Sequence, residues 1–234
     1  MQSQIDPTQI FIRNWEIYQK VIKENYMRHK ELGELAQKYL QDFSDRTPIK
    51  MLDIGCGDAH QISEQLKSLN VAAYTGYDLS EQATQFAKKH FTSFENTATF
   101  QIGRMEELIK DDQTSYNVIY SSFAIHHLVD EKKAEIIKDC YNKLIDGGLF
   151  ILIDIKRQPG QSINDYKASY AQWINADWHA LDKDEKNAII DHLNTCDIPV
   201  ETNAYVEYAQ HAGFSLLEEV NVDTRHALLA FVKN

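Results

Sequence analysis

Apolar and polar residues follow two different periods along the chain, and the change of period predicts the order of its elements. Between residues 8 and 42, apolar side chains recur every three or four positions, as on one face of a helix. The apolar runs at 49–54 and 149–155 are instead typical of strands buried on both faces. Helical spacing returns after the first of these strands and again after a Pro-Gly break at 159–160. Strands that alternate with helices predict an α/β protein built on a mostly parallel sheet.

The stretch around which we expect the chain to be organised is IKMLDIGCGDAH, residues 49–60. Its strand ends in Asp53 and a Gly55-Cys56-Gly57 turn, at the sheet edge where open α/β folds bind ligands. Glycine adopts backbone angles closed to other residues and has no Cβ, so a ligand can lie against the main chain there. A second strand ends in Asp78, where dinucleotide-binding sheets carry an acid that accepts hydrogen bonds from ribose hydroxyls. The first hypothesis is therefore a nucleoside-containing ligand.

Four motifs succeed one another along the chain: LDIGCGD at 52–58, YDLS at 77–80, YNVIYSSFAIHHL at 116–128 and LIDGGL at 144–149. In order and spacing they resemble the motifs of class I S-adenosylmethionine-dependent methyltransferases. The resemblance implies a Rossmann-like α/β fold: a mostly parallel seven-stranded sheet with an antiparallel terminal hairpin and helices on both faces. The competing nicotinamide-dinucleotide fingerprint requires a third glycine, and that position is His60.

The length of 234 residues favours one domain, since the sequence contains no internal repeat or flexible linker. We expect an N-terminal helical cap at 1–47 and a cofactor-binding core at 48–155. A helical insertion after the fifth strand is expected at 156–204, followed by a terminal helix and strand hairpin at 205–234.

The resemblance implies that the core binds S-adenosylmethionine and releases S-adenosylhomocysteine. The motif residues expected to contact the cofactor are Asp53, Gly55, Cys56, Gly57, Asp78, Leu79, Met105, Ser121 and Phe123. Arg28, from the helical cap, is a further candidate because an arginine can pair with the methionine carboxylate. Family members commonly carry an acid just before Met105, but this chain has Arg104, which cannot accept a hydrogen bond. Adenine recognition is then left to the backbone at Met105 or to Glu106.

The resemblance to small-molecule methyltransferases implies that the N-terminal helices and the insertion cover an acceptor pocket. The candidates for acceptor contacts are Tyr18, Tyr26, His29, Tyr166, Tyr170 and His179. Aromatic faces attract cations, so such residues could surround an amine or a ring. The alternative is that these aromatic residues simply pack in the core.

Three candidates for catalysis lie near the ends of the fourth and fifth strands. His126 and His127 are possible bases because an unperturbed imidazole titrates near neutrality. The alternative is that one histidine bonds a backbone carbonyl while the other is solvated. Asp154 either faces the acceptor or caps the next turn. We expect no metal, since adjacent side chains seldom converge and no acidic or cysteine partner stands at suitable spacing.

Charge narrows the choice of substrate. The chain has 24 basic and 35 acidic residues and therefore a net charge of −11. It lacks the excess of positive charge that attracts nucleic acid or an anionic membrane. Three cysteines without metal-like spacing, no signal peptide and no membrane-length apolar run predict a cytoplasmic protein. We expect a methyltransferase acting on a small-molecule acceptor, with its oligomeric state open. The alternatives are another group transfer from the same cofactor, a protein or RNA methyltransferase, and a non-catalytic cofactor sensor.

Overall fold

The computed structural model describes residues 15–94 and 97–234, with the exception of the Trp15 side chain. The strands are β1 (Ile49–Ile54), β2 (Val71–Asp78), β3 (Ala98–Ile102), β4 (Tyr116–Ser122), β5 (Leu144–Ile155), β6 (Phe214–Asn221) and β7 (His226–Lys233). They form one sheet in the order β3-β2-β1-β4-β5-β7-β6. Strands β1 to β5 are parallel, and β7 runs antiparallel to both β5 and β6. The predicted sheet with its antiparallel terminal hairpin is confirmed.

Helices cover both faces of this sheet. Their bounds are α1 (Trp15–Lys23), α2 (His29–Ser44), α3 (His60–Leu66), α4 (Glu81–His90), α5 (Met105–Asp111), α6 (Asp130–Lys143), α7 (Ile163–Asp177), α8 (Lys183–Cys196) and α9 (Thr202–Ala212). Buried residues of α2, α3 and α4 pack on one face, and those of α5, α6 and α9 pack on the other. Short 3-10 turns occur at Thr92–Phe94 and Ile125–His127. None of the helices within 15–94 and 97–234 is long and apolar enough to cross a membrane.

The fifth strand begins earlier than its apolar run predicted. Extended backbone starts at Leu144 rather than at residue 149, although residues 145–147 are exposed. Gly147 has a φ of 75°, which lets the chain turn between the two parts of the strand. From residue 149 to residue 155 the strand is buried throughout, because β4 and β7 flank it. In the N-terminal segment, residues 8–14 of the predicted helical pattern lie outside the described residues.

The insertion after β5 consists of α7 and α8. Ser162 caps α7 by accepting a hydrogen bond from the Asp165 amide, and Asp182 with Glu185 forms a capping box at the start of α8. Their apolar faces pack together with α1 in a separate cluster that includes Val21, Tyr170, Trp178 and Leu193. This cluster also contains Ile155, so it lies over the carboxyl end of β5. The two helices of the insertion and α1 therefore pack together beside the carboxyl edge of the sheet, where the sequence predicts the ligand.

Candidate active site

The loop after β1 is tied to the end of β2. The amides of Gly55 and Cys56 both donate to the carbonyl oxygen of Tyr77, at 2.8 and 2.9 Å. Gly55 and Gly57 have φ angles of 72° and 54°, in the region that favours glycine. A Cβ on Gly55 would lie 2.3 Å from the Cβ of Ala124, whereas a Cβ on Gly57 would meet nothing within 4 Å. Packing therefore requires the first glycine, and the second faces open space.

Asp78 holds this loop in place from the end of β2. Its Oδ2 accepts a hydrogen bond from the Gly57 amide at 2.8 Å, and its Oδ1 accepts one from the Ser80 amide at 2.7 Å. Burial raises the pKa of Asp78, although the hydrogen bonds from Ser80 and Gly57 act in the opposite direction. A carboxylate that is fixed by two amides presents its remaining lone pairs at a defined position.

Asp53, the last acid of β1, is buried behind the loop. The Tyr74 hydroxyl donates to its Oδ2 at 2.7 Å. Burial raises the pKa of Asp53 to about 7; the hydrogen bond from Tyr74 opposes the rise, and the negative charge of Asp78 adds to it. Asp53 therefore changes charge near neutral pH in this structure.

These residues border a cavity of about 220 Å³, which we call the loop cavity. The predicted residues that line it are Asp53, Gly55, Cys56, Gly57, Asp78, Leu79, Met105 and Phe123, together with Tyr18 and His29. Ser121 does not line it, because side chains alternate along β4 and its Oγ donates inward to the carbonyl of Ile54 at 3.1 Å. Ser122, the next residue, lines the cavity instead. Arg104 and Glu106 also line it and pair with each other at 2.8 Å.

Arg28 is not at either of the two cavities described here, contrary to the expectation that it contacts the cofactor. It lies in the turn between α1 and α2, with a φ of 60°, and its Nε donates to Asp223 Oδ2 at 3.2 Å. Asp223 belongs to the turn between β6 and β7, so the guanidinium is engaged with the terminal hairpin. The pairing depends on a residue 195 positions away, which local sequence could not reveal.

His29 is buried in the wall of the loop cavity, and neither of its ring nitrogens has a hydrogen-bond partner. Its pKa is lowered to about 3, chiefly by burial and in smaller part by the neighbouring His226. The ring is therefore neutral at pH 7. It packs 4.7 Å from the Phe123 ring, measured between centroids. A buried imidazole without hydrogen bonds is costly unless a ligand supplies them.

A second cavity of about 120 Å³, the insertion cavity, lies under α1, α7 and α8. Its walls include Tyr18, Tyr170 and Trp178, with Phe123, His126 and His127 on the side of the sheet. Tyr18, Phe123 and His127 line both cavities, which therefore meet at these residues. Phe123 occupies this junction with a φ of 54°, a left-handed conformation that is uncommon for a bulky residue.

Three predicted acceptor contacts do not line either of these cavities. Tyr26 stacks on Trp178 at 4.7 Å between ring centroids, and its hydroxyl accepts a hydrogen bond from the Ala180 amide. Tyr166 is buried in the cluster between α1 and the insertion, which agrees with the alternative of core packing. His179 is exposed in the turn after α7. The apolar stripe of an amphipathic helix predicts burial but does not distinguish a cavity wall from the interior of a cluster.

Asp154 positions His126 and does not itself line either cavity. Its Oδ1 bonds to His126 Nδ1, and its Oδ2 accepts from the His126 amide at 2.9 Å and from the Tyr205 hydroxyl at 3.0 Å. The expectation that Asp154 faces the acceptor or caps the next turn is thus replaced by a buried contact with the histidine. Burial alone would lower the pKa of His126, but Asp154 and Asp197 raise it to about 10.

Asp197 and His192 were not singled out from the sequence. Asp197 Oδ1 lies 3.6 Å from His126 Nε2, 3.3 Å from His127 Nδ1 and 3.3 Å from His192 Nε2. The adjacent imidazoles of His126 and His127 therefore converge on one acid, contrary to the premise behind the expectation of no metal. Asp197 is 71 positions from His126 and directly follows α8, so tertiary packing alone creates the contact.

The comparisons with known proteins agree with this geometry. Residues 51–148 match the family described as "Methyltransferase domain". The ubiquinone biosynthesis O-methyltransferase of Nitrosomonas europaea is 26% identical over 133 residues, which is 55% of this chain and 54% of that protein. The chain thus spans about half the length of this relative. The carboxy-S-adenosyl-L-methionine synthase of Idiomarina loihiensis is 22% identical over 188 residues, 78% of this chain and 74% of that protein.

Among solved structures, the plantazolicin methyltransferase BamL, in complex with a triazolic desmethylPZN analogue and S-adenosylhomocysteine, has a TM-score of 0.69. The sequences are 15% identical, and the match covers 99% of this chain and 95% of that one, so the likeness is one of fold. The residues that match this family model, 51–148, include the loop after β1, the end of β2 and the two adjacent histidines. Together with the sheet order above, the match gives this chain the class I methyltransferase fold, the fold of enzymes whose cofactor is S-adenosylmethionine.

Proposed function

We propose that this protein transfers the methyl group of S-adenosylmethionine to a small-molecule acceptor bound in the insertion cavity. The observation that carries the proposal is the junction of the two cavities at Tyr18, Phe123 and His127. A donor in the loop cavity and an acceptor in the insertion cavity would meet there. In this arrangement residues 48–155 hold the donor, while 156–204 and the described part of the helical cap, 15–47, cover the acceptor.

The residues of the loop cavity fit a nucleoside donor. Gly57 leaves the flank of the loop open, since a Cβ there would enter free space. Asp78 stands where related sheets bind ribose hydroxyls. Met105 and Leu79 supply apolar surface for the adenine ring. Glu106 offers the acidic group that the family commonly carries before the methionine.

Positioning is the main task of the protein in such a reaction. S-adenosylmethionine carries an already activated methyl group, so the chemistry needs chiefly an acceptor atom in line with the carbon–sulfur bond. Holding two reactants in line can lower the barrier by up to about 10 kcal/mol. Tyr18 and Phe123 place aromatic rings at the junction, and Asp154 orients His126 beside it. Deprotonation of an acceptor that carries a proton would fall to His127, whose pKa is lowered by burial, because Asp154 and Asp197 raise the pKa of His126 and keep it protonated.

The walls of the insertion cavity favour an acceptor with a ring or an amine. Tyr170 and Trp178 present aromatic faces, which bind cations and other rings. The net charge of −11 disfavours a nucleic-acid acceptor. The cysteines Cys56, Cys140 and Cys196 are free thiols in the structure, which supports a reducing, cytoplasmic setting.

Transfer of labelled methyl from S-adenosylmethionine into a fractionated cell extract tests the proposal. We expect label in the metabolite fraction, and a strongly reduced amount with the Asp78→Ala variant at the same cofactor concentration. Label in the protein or RNA fraction would refute a small acceptor. Cofactor binding without any transfer would favour a sensor.

The carboxy-S-adenosyl-L-methionine synthase match supports a second candidate, a reaction that modifies the cofactor itself, because it extends over 78% of this chain. Mass spectrometry of the nucleoside product separates the two. S-adenosylhomocysteine indicates methyl transfer, and a heavier S-adenosylmethionine derivative indicates the other chemistry.

Replacing Asp78 by alanine should weaken S-adenosylhomocysteine binding by about 1.5–3 kcal/mol, or roughly 10- to 150-fold. The variant loses a charged acceptor and also the contact that fixes the Gly57 amide. Isothermal titration calorimetry measures the change. Asp146→Ala, an exposed acid at the opposite edge of the sheet, is the matched control. Equal affinities for the Asp78 variant and wild type would show that the ribose is bound elsewhere.

Replacing His29 by leucine should leave the melting temperature unchanged or raise it, because the imidazole has no hydrogen bond to lose. Ligand binding or methyl transfer should nonetheless fall by about 1–3 kcal/mol, since a polar group of the ligand loses its partner. Thermal unfolding, calorimetry and turnover are compared on the same preparation. A variant that keeps wild-type affinity and turnover would assign His29 to packing alone.

A further inference from the structure

One buried carboxylate oxygen in the insertion cavity faces three imidazole nitrogens. Asp197 Oδ1 lies 3.6 Å from His126 Nε2, 3.3 Å from His127 Nδ1 and 3.3 Å from His192 Nε2, within ion-pairing distance of all three rings. Its side chain is 10% exposed. Asp154, by contrast, accepts hydrogen bonds through both oxygens. Buried charges are paired or coordinate metals, and a single carboxylate oxygen that faces three imidazoles is suited to either role.

The spacing of these atoms matches a metal coordination shell. Donor atoms at about 2.1 Å around a tetrahedral zinc ion lie about 3.4 Å from one another. The measured separations from Asp197 Oδ1 to His127 and His126 are 3.3 and 3.6 Å. One donor atom from each of His126, His127 and Asp197 lies within 4.8 Å of the other two. The three side chains can therefore converge on one ion without a change of backbone.

A second layer of contacts prepares His126 for this role. Its Nδ1 is bonded to Asp154, so Nε2 is the nitrogen directed toward Asp197. Asp154 is held in turn by the Tyr205 hydroxyl and by the amides of His126 and Ile155. Histidines that bind metals usually donate their other nitrogen to a carboxylate, which fixes the tautomer and the ring orientation. His192 contacts the same oxygen of Asp197 from α8 and would orient that ligand.

We propose that His126, His127 and Asp197 form a binding site for one divalent transition-metal ion of the zinc type, with Asp154 and His192 as supporting residues. Two imidazoles and one carboxylate suit such ions, whereas Mg²⁺ and Ca²⁺ prefer sets of oxygen donors. Three protein ligands leave a coordination position open. All three residues line the insertion cavity, so the open position is available to a ligand bound there.

The use of this site in catalysis rests on the proposed function. An acceptor hydroxyl or thiol bound to the ion would release its proton to solvent more readily, because the metal lowers its pKa. The resulting oxygen or sulfur anion forms a bond to the methyl carbon. The carbon–sulfur bond of the sulfonium breaks, its electron pair stays on sulfur, and S-adenosylhomocysteine leaves.

Metal titration tests the site without depending on methyl transfer. Chelator-treated full-length protein is titrated with Zn²⁺ by calorimetry and with Co²⁺ by visible absorption. We expect one ion per chain, a Co²⁺ spectrum of low coordination number, and no comparable binding of Mg²⁺ or Ca²⁺. Asp197→Asn and His127→Ala should weaken Zn²⁺ binding on the order of 100-fold, and His192→Ala by about 10-fold or more.

The matched control is His179→Ala, which removes an exposed imidazole from the same insertion and should bind Zn²⁺ like wild type. Circular dichroism verifies that each variant is folded. If Asp197→Asn does not fold, the test rests on His127→Ala, because the His127 side chain is 23% exposed. The proposal is overturned if a folded His127→Ala or Asp197→Asn variant binds Zn²⁺ with wild-type affinity. It is also overturned if His179→Ala weakens Zn²⁺ binding as much as these two substitutions do. S-adenosylhomocysteine affinity is measured in parallel, so failure of the donor site and failure of the metal site are distinguished.

Discussion

Replacing Gly57 by valine is expected to abolish S-adenosylmethionine binding while the protein remains folded. A Cβ at this position meets no atom within 4 Å, so the branched side chain extends into the loop cavity rather than into the core. Steric exclusion from a site of this kind should lower affinity on the order of 100-fold or more. The φ of 54° adds a strain of about 1–3 kcal/mol, which a domain with about 5–15 kcal/mol of stability tolerates. Calorimetric titration with S-adenosylhomocysteine measures the loss.

Two further glycine variants separate exclusion from strain. Gly147→Val carries a similar strain at a φ of 75°, again with no neighbour within 4 Å, but at the opposite edge of the sheet. We expect Gly147→Val to lose about as much stability as Gly57→Val but to bind S-adenosylhomocysteine with wild-type affinity. Gly55→Ala should instead unfold at a lower temperature, since its Cβ would lie 2.3 Å from that of Ala124. Normal affinity in Gly57→Val would mean that the ligand does not occupy the loop cavity.

Asp53 is expected to make the ligand-free protein less stable as pH rises through the acidic range. Its pKa is about 7 in the folded state, against about 3.9 in an unfolded chain. Between these values the folded state retains a proton that the unfolded state has released, so the free energy of unfolding falls with rising pH. Below pH 4 both states are protonated, and above pH 7 both are ionised, so the loss is confined to that window.

The comparison with Asp53→Asn isolates this group from the other titrating residues. The stability of wild type relative to the variant should fall by about 2–3 kcal/mol between pH 5 and pH 8. Urea unfolding at both pH values gives the difference. Tyr74→Phe, which removes the hydrogen bond that lowers this pKa, should move the loss to higher pH. Parallel pH profiles of wild type and Asp53→Asn would show that Asp53 does not titrate in this range.

The predicted residues that depend on local backbone requirements do line the loop cavity. Gly55, Gly57 and Asp78 belong to tight turns at strand ends, and such turns restrict which residues can occupy them. The error at Ser121 has a simple geometric cause, because alternation along β4 decides between two adjacent serines and the pattern did not fix its phase. The number of strands and the antiparallel terminal hairpin were predicted through family resemblance rather than through periodicity.

Residues whose roles depend on packing between distant segments could not be predicted in the same way. Arg28 pairs with Asp223 across 195 positions, and Asp197 reaches His126 only because the insertion folds back over β5. Two adjacent histidines gave no local sign that an acid would complete the cluster. Helical spacing likewise predicted that Tyr166 and Tyr170 lie on the apolar face of one helix. Only the packing of α7 places Tyr170 in the wall of the insertion cavity and Tyr166 inside the cluster between α1 and the insertion.

The left-handed backbone at Phe123 is a local strain that the packing of its ring sustains. Glycine there would relieve a conformational cost of about 1–2 kcal/mol. The same change would remove a ring that packs against two buried clusters and against His29, and the loss of a packed phenylalanine side chain costs up to about 3–5 kcal/mol. Thermal resistance and a closed passage between the two cavities therefore favour the same residue, and a smaller one would admit water that competes for the methyl group.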